Sequence, residues 1–245
     1  MLESFCHSDA VFITLTYADE YLPENGALVK RDLQLFLKRL RKRLAPRSFR
    51  YYACGEYGSK TMRPHYHAIL FGVSEIDQDD IAKSWTDPET GILKGRVHVG
   101  FFSRESAQYV AGYVTKKLGT VPDGFQKEFS LMSLKPGIGY PVLPNVTKLL
   151  EDERFRKYLN LKGDVPTTLR HGAKQWPFGR YLTEKLRLMM DVNHDISAYL
   201  VEVQKKWLEA RESGKLLKEH ILDESEQQIK QTEKRFKIFT QRDKI

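Results

Sequence analysis

The stretch Arg63-Pro64-His65-Tyr66-His67-Ala68-Ile69-Leu70-Phe71-Gly72 decides both the fold and the place of the chemistry. In an extended strand, residues i and i+2 share a face. His65 and His67 then point to one side, as two ligands of one metal ion must. Tyr66 points to the other side and serves packing. A strand that merely contains two histidines has the same pattern, because His-x-His is a short and weak motif. The flanking segments separate these readings.

Upstream, Phe49 to Ala53 is aromatic and extended, and it leads into Cys54-Gly55-Glu56-Tyr57-Gly58. This predicts a strand closing on a Gly-rich turn. With the polar connector 59–62, the two strands form a hairpin with a long loop. Glu56 falls near the end of one strand and His65 near the start of the next, so their side chains can meet. Residues 10–17 (AVFITLTY) are β-branched and aromatic. They predict another strand, with Val11, Ile13 and Leu15 on one face and Thr14 and Thr16 on the other. Between these strands the apolar period becomes helical. Leu33, Phe36, Leu37, Leu40 and Leu44 form one stripe of a helix from Lys30 to Leu44. Its other face holds Lys38, Arg39, Arg41 and Lys42 among seven cations, with Asp32 the only acid. Such a face is either solvated or turned toward phosphates.

Downstream of the histidines, Asp77 is a candidate cap for a short helix reaching Trp85. Residues 96–102 (RVHVGFF) alternate as a strand, with His98 a partly exposed strand residue rather than a ligand. Ser103 can cap a helix that runs to about Leu118. Ala107, Val110, Ala111, Val114 and Leu118 gather on one side of it at about 100° per residue. Tyr109, Tyr113 and Lys116 gather on the other. The apolar stripe is complete without the tyrosines, so they call for another role. Gly112 between them costs helix stability and leaves room for a ligand or a second backbone. Residues 119–147 are rich in Gly and Pro and predict an irregular connection. A helix is expected over 149–161, a broken segment over 166–178 with Arg170, His171 and Lys174 near Trp176, and long helices from Tyr181 onward.

The 245 residues are enough for one or two domains. The net charge of +8 favours a polyanionic partner, most often nucleic acid. Two cysteines make no disulfide framework, which fits a reducing cytosol. No apolar run approaches the roughly 20 residues of a membrane span, and the first residues lack a signal-peptide layout.

Two imidazoles and a carboxylate make a mixed nitrogen and oxygen site suited to Mg²⁺ or Mn²⁺, with Zn²⁺ harder to exclude. Such a site keeps open positions for a phosphoryl oxygen. A tyrosine hydroxyl can act as nucleophile, and aromatic side chains offer stacking surfaces for unpaired bases.

The ordered set Phe12-Ile-Thr-Leu-Thr16, Gly55-Glu-Tyr-Gly58, Arg63-Pro-His-Tyr-His67 and Tyr109-Val-Ala-Gly-Tyr-Val-Thr-Lys-Lys117 resembles the HUH rolling-circle replication initiators. It is most similar to those of gokushovirus-type microviruses. Residues 30–42 and Lys135-Pro-Gly-Ile-Gly139 share the likeness, which spans about 10 to 190. The resemblance implies an α+β fold: a central five-stranded, RRM-like antiparallel sheet with the His strand in the middle, flanked by helices. A mainly helical C-terminal extension follows. It implies a nuclease domain over 1–120, an irregular and helical region over 121–190 and a helical tail over 191–245. It implies that His65, His67 and Glu56 hold a divalent metal, that Tyr109 and Tyr113 are nucleophiles, and that Lys116, or else Lys117, assists the phosphate. Lys38, Arg39, Arg41, Lys42, Arg63 and Lys117 are the candidate DNA contacts. The implied partner is single-stranded origin DNA in the cytoplasm of a bacterial host, together with a host helicase or polymerase. Family members usually carry paired cysteines ahead of the first strand, and none stand here. A catalytically silent or truncated DNA-binding homologue is therefore the alternative. Metalloenzymes of the double-stranded β-helix type also use His-x-His, but they place a carboxylate soon after it, where this chain has Ala68 to Val73. A histidine-triad enzyme is disfavoured by Ile69.

Overall fold

The computed structural model describes residues 1–116, 124–153, 155, 164–171, 174–192, 205–214, 223, 226–227 and 230. Strands β1 (Ala10–Leu15), β2 (Arg50–Tyr57), β3 (Pro64–Phe71), β4 (Val97–Phe101) and β5 (Phe129–Met132) form one antiparallel sheet in the order β4-β1-β3-β2-β5. The fold class is α+β, and the His strand is central, as the resemblance implies. Helices α1 (Lys30–Leu44) and α2 (Gln78–Ser84) follow β1 and β3, and α3 (Arg104–Lys116) follows β4.

Alternation divides the sheet into two faces. Val11, Ile13 and Leu15 of β1 and Tyr66, Ala68 and Leu70 of β3 are buried beneath α1, whose Leu33, Phe36, Leu37 and Leu40 complete this core with Trp85. The stripe expected on α1 is the stripe observed. The other face carries Phe12, Cys54, Ile69 and Phe71, and α3 covers it with Val110 and Ala107.

Tyr66 links the first face to the start of α1. Its hydroxyl accepts from Val29 N–H at 3.0 Å and lies 2.9 Å from Val29 O and 2.8 Å from the Tyr17 hydroxyl, which donates to Asp32. Val29 is the residue capping α1 and has no side-chain cap of its own. The phenol of the strand thus serves a helix end whose backbone groups need partners.

Three expectations change. Gly55 and Glu56 lie inside β2 rather than in a turn. Gly55 is needed there because an added Cβ would come within 2.9 Å of the Phe129 ring and 3.1 Å of the Tyr66 ring. The fifth strand arises within the Gly- and Pro-rich stretch read as irregular, which also forms α4 (Leu143–Leu150). The cap ahead of α2 is Ser74, with Asp77 returning to its backbone as the far end of a capping box. Asp77 also takes both guanidinium nitrogens of Arg47, at 3.3 and 2.5 Å.

A two-stranded sheet of β6 (Thr168–His171) and β7 (Lys174–Pro177) precedes α5 (Gly179–Met189), which buries Leu182, Thr183 and Leu186. The chain divides into two compact units, Met1–Phe155 with Thr167–Leu186, and Arg156–Pro166 with Arg187–Ile245. In the second, Arg187 donates to both oxygens of Asp164. Most of the stretch expected to form the C-terminal tail lies outside the described residues, as do Ile196, Leu200 and Val203.

Two outcomes check this packing. Tyr66→Phe leaves the Val29 backbone groups and the Tyr17 hydroxyl short of a buried partner, and urea unfolding should show a loss of about 1–3 kcal/mol. Burial tends to raise the Asp77 carboxyl, but Arg47 and the Ser74 N–H outweigh it and hold it below its ordinary value. A depressed carboxylate stabilises above its unfolded pKa, and that contribution disappears as pH falls through the folded value. Asp77→Asn should therefore lower Tm by a few degrees at neutral pH, and the gap from wild type should close in acid.

Candidate functional site

The site begins with strand register. Glu56 of β2 pairs directly with His65 of β3, and Thr14 of β1 pairs with His67. All four side chains leave the sheet on the face opposite α1. The Nε2 atoms of His65 and His67 lie 2.7 and 2.8 Å from one oxygen, Glu56 Oε1, and the two rings meet edge to face at 5.0 Å. Glu56 and His67 are buried, at 2% and 5% exposure, and His65 is partly open.

The far nitrogens determine what the near ones offer. His65 Nδ1 is 3.1 Å from the carbonyl of Arg63, which can only accept, so Nδ1 carries the proton. His67 Nδ1 lies 2.9 Å from Thr14 Oγ1. In neutral His65 the Nε2 lone pair then faces the carboxylate oxygen. Two acceptors at 2.7 Å need a proton or a cation between them. The second carboxylate oxygen, Glu56 Oε2, is buried with no hydrogen-bond partner. One atom from each residue comes within 4.8 Å of the others, a spacing that can hold a metal ion. The donor set and the orphaned oxygen both fit a divalent cation with positions left open. Burial tends to raise the Glu56 carboxyl, but the two imidazoles beside it outweigh burial and hold it below the usual carboxylate value.

Tyr109 is brought to this cluster. Its ring stands edge-on to His67 at 5.2 Å and to Phe12 at 6.2 Å, and it is 39% exposed. The sheet side of α3 therefore lies between Val110 and Tyr109, while Ala111, placed on the apolar stripe by periodicity, is exposed. An added Cβ at Gly112 would meet nothing within 4 Å, so no close backbone explains this glycine. Tyr113 and Lys116 lie within α3, at one and about two turns beyond Tyr109, and Lys117 lies outside the described residues.

The basic residues are not all gathered here. Lys38, Arg39, Arg41 and Lys42 sit on α1, across the sheet from the cluster. Arg39 donates to the Ser84 carbonyl, and Arg41 lies over the Phe49 and Tyr51 rings at 5.4 and 5.3 Å. Arg63 donates to Asp19 and to the Tyr17 carbonyl. His98 is exposed on β4 beside Thr14 and is not one of the clustered ligands. Glu128, just before β5, accepts from the Tyr57 N–H one residue beyond the Gly55–Phe129 pair, which sets a further carboxylate alongside Glu56. No sequence pattern marks it, because its position depends on a strand hidden in a Gly- and Pro-rich stretch.

Residues 10–118 match the family described as replication-associated protein ORF2. The chain is 35% identical over 140 residues to the replication-associated protein ORF2 of Spiroplasma virus 4, covering 51% of this chain and 42% of that protein. It is 35% identical over 138 residues to the replication-associated protein VP4 of Bdellovibrio phage phiMH2K, covering 47% and 41%. It is 25% identical over 228 residues to the replication-associated protein ORF4 of Chlamydia phage 1, covering 84% and 53%. The chain thus spans about half the length of the curated relatives it matches. The resemblance to phage replication initiators drawn from the motifs stands on these matches, and the matched segment contains the whole cluster and α3.

The Thr14 contact is open to test. Thr14→Val keeps the shape but removes the hydroxyl that orients His67. Divalent-metal affinity, followed by calorimetric titration, should fall about 10–100-fold.

Proposed function

We propose that this chain is a replication initiator that cuts and rejoins single-stranded DNA through a covalent tyrosine link. One observation carries the reading: Tyr109 stands against His67 at the exposed rim of the Glu56, His65 and His67 cluster. A nucleophile, a set of metal ligands and a sheet face open beside them meet in one place. The relatives' names place them in phage replication, and the net charge of +8 suits a polyanionic substrate.

In this reading Glu56, His65 and His67 hold a Mg²⁺ or Mn²⁺ ion. Bound there, the ion polarises a non-bridging phosphate oxygen and offsets charge that grows during displacement. The hydroxyl of Tyr109 attacks phosphorus. The phenolic O–P bond forms, the bond from phosphorus to the 3′ oxygen breaks, and the phenol proton leaves to water or a nearby carboxylate. The products are a 5′-phosphotyrosine and a strand with a free 3′ hydroxyl, which takes up a proton. The reverse attack by a 3′ hydroxyl reseals DNA and restores the phenol. Tyr113, one turn along α3, serves as second nucleophile, so one end stays held while another bond is cut. Lys116, or Lys117 in its place, steadies the departing oxygen. Thr14 holds His67, and the Arg63 carbonyl holds His65, in the orientation that presents Nε2. Lys38, Arg39, Arg41, Lys42 and Arg63 contribute longer-range attraction for DNA; those on α1 act from the far face of the sheet. The setting is the cytoplasm of a bacterial host, with host helicase and polymerase extending the free 3′ end. The division at 120 and 190 belongs to the same reading.

Tyr66 is unsuited to the nucleophile's part despite standing between the two histidines. It faces the opposite core, where burial pushes its phenol up to about 12.

The test is incubation of the full chain with a random-sequence single-stranded DNA pool and Mn²⁺, resolved on a denaturing gel. A protein–DNA adduct should form. The Tyr109→Phe, Tyr113→Phe double variant should form none, and His67→Ala should slow formation about 100-fold or more, consistent with losing several kcal/mol of charge stabilisation. DNA binding without an adduct under any divalent metal would leave a non-cutting DNA-binding homologue instead.

A further inference from the structure

A cavity of about 470 Å³ lies on the side of α3 turned away from the cluster. Its walls come from the 3-10 turn Leu2–Cys6, from Arg104 and Ala107 of α3, and from Leu169, Trp176 and Phe178 around the β6–β7 hairpin. The volume is in the range of small-ligand sites, too small for a duplex or a partner helix. The lining is mostly apolar, with one conspicuous exception. The Arg104 guanidinium lies 4.8 Å above the Trp176 ring, and its Nη2 is buried with no hydrogen-bond partner. Leaving such a donor dry is costly unless a ligand supplies an acceptor. Arg170 lines the same cavity, so a second cationic group stands beside it.

We propose that this cavity takes one unpaired nucleobase of the DNA strand, with guanine preferred. A base has the matching properties: flat apolar faces for Trp176, a carbonyl edge for Arg104 Nη2, and a backbone phosphate left outside near Arg170. Guanine presents O6 and N7 side by side, the acceptor pair that guanidinium groups read best. Adenine has no ring-edge carbonyl and leaves the donor less well served. Gln108 and Tyr109 are adjacent on α3, the first on the cavity and the second against His67. Since a helix with its side chains is about 10 Å across, a strand whose phosphate lies at Tyr109 reaches the cavity within a short run of nucleotides. The cavity would then select where the strand is cut. This proposal rests on the chain acting on single-stranded DNA.

The experiment separates binding from cutting. Affinity of the full chain is measured by fluorescence anisotropy in EDTA for labelled oligo-dA of about a dozen nucleotides and for the same strand with one central guanine. Wild type should bind the guanine oligonucleotide about tenfold more tightly, and Arg104→Gln should erase that preference. Trp176→Leu should weaken both about tenfold, and Trp176→Phe should restore most of the loss because a stacking ring remains. A thermal melt checks folding; if Trp176→Leu is unfolded, Arg104→Gln and Trp176→Phe decide. Equal binding of both oligonucleotides by wild type, or variants that bind as wild type does, overturns the cavity proposal and leaves the nuclease reading intact if adducts form. No adduct under any metal, with the guanine preference and its loss in Arg104→Gln still present, removes the nuclease reading and keeps the cavity. No binding to either oligonucleotide removes both.

Discussion

The convergence of His65 Nε2 and His67 Nε2 on a single oxygen of Glu56 is the constraint around which the rest is arranged. It requires β2 and β3 to pair with Glu56 opposite His65, and it requires both strands to be flat enough there for rings and carboxylate to meet. Gly55 answers the second need by letting the Phe129 and Tyr66 rings lie close under the strand. Thr14 and the Arg63 carbonyl answer a third by holding the outer ring nitrogens. A cluster of acceptors held so closely suits a cation, and the buried, unpartnered Oε2 of Glu56 agrees with that.

Alternation lets one strand serve two ends. On β3, Tyr66, Ala68 and Leu70 build the main core while His65 and His67 face the other way. A side chain can thus be changed on the chemical face with modest effect on stability, or on the core face with modest effect on chemistry. The order β1, α1, β2, β3, α2, β4 is that of an RRM-like unit. α3 then lies across the face that α1 and α2 leave uncovered, and it brings Tyr109 with it.

Much of this was legible in the residues, for physical reasons. Alternation in 10–17, the 3.6-residue stripe from Leu33 to Leu44 and the His-x-His spacing each fix a local geometry, and those elements appear where expected. The proximity of Glu56 to His65 followed from a hairpin whose turn was misplaced, since Gly55 signals a turn unless one knows that a ring packs against it. The fifth strand was not legible because four residues between glycines and prolines carry too little pattern. Nor was the direction of the α1 cations. Amphipathicity tells which side of a helix meets the core, but not which face of the sheet that core lies on. Tyr109 was assigned to the polar side of α3, where a ring over a partly polar sheet face cannot be told from one in solvent.

The place of β3 at the centre of the sheet has a consequence for how the molecule breathes. Strands bonded on one side only, here β4 and β5, can detach while the rest stays folded. β3 is bonded on both sides and can separate only when a neighbour has gone or the whole sheet opens. The histidines therefore ride on the segment whose amides should exchange with solvent among the slowest. Partial openings at the edges can admit, reposition or release a long flexible strand without taking apart the group of ligands at the middle.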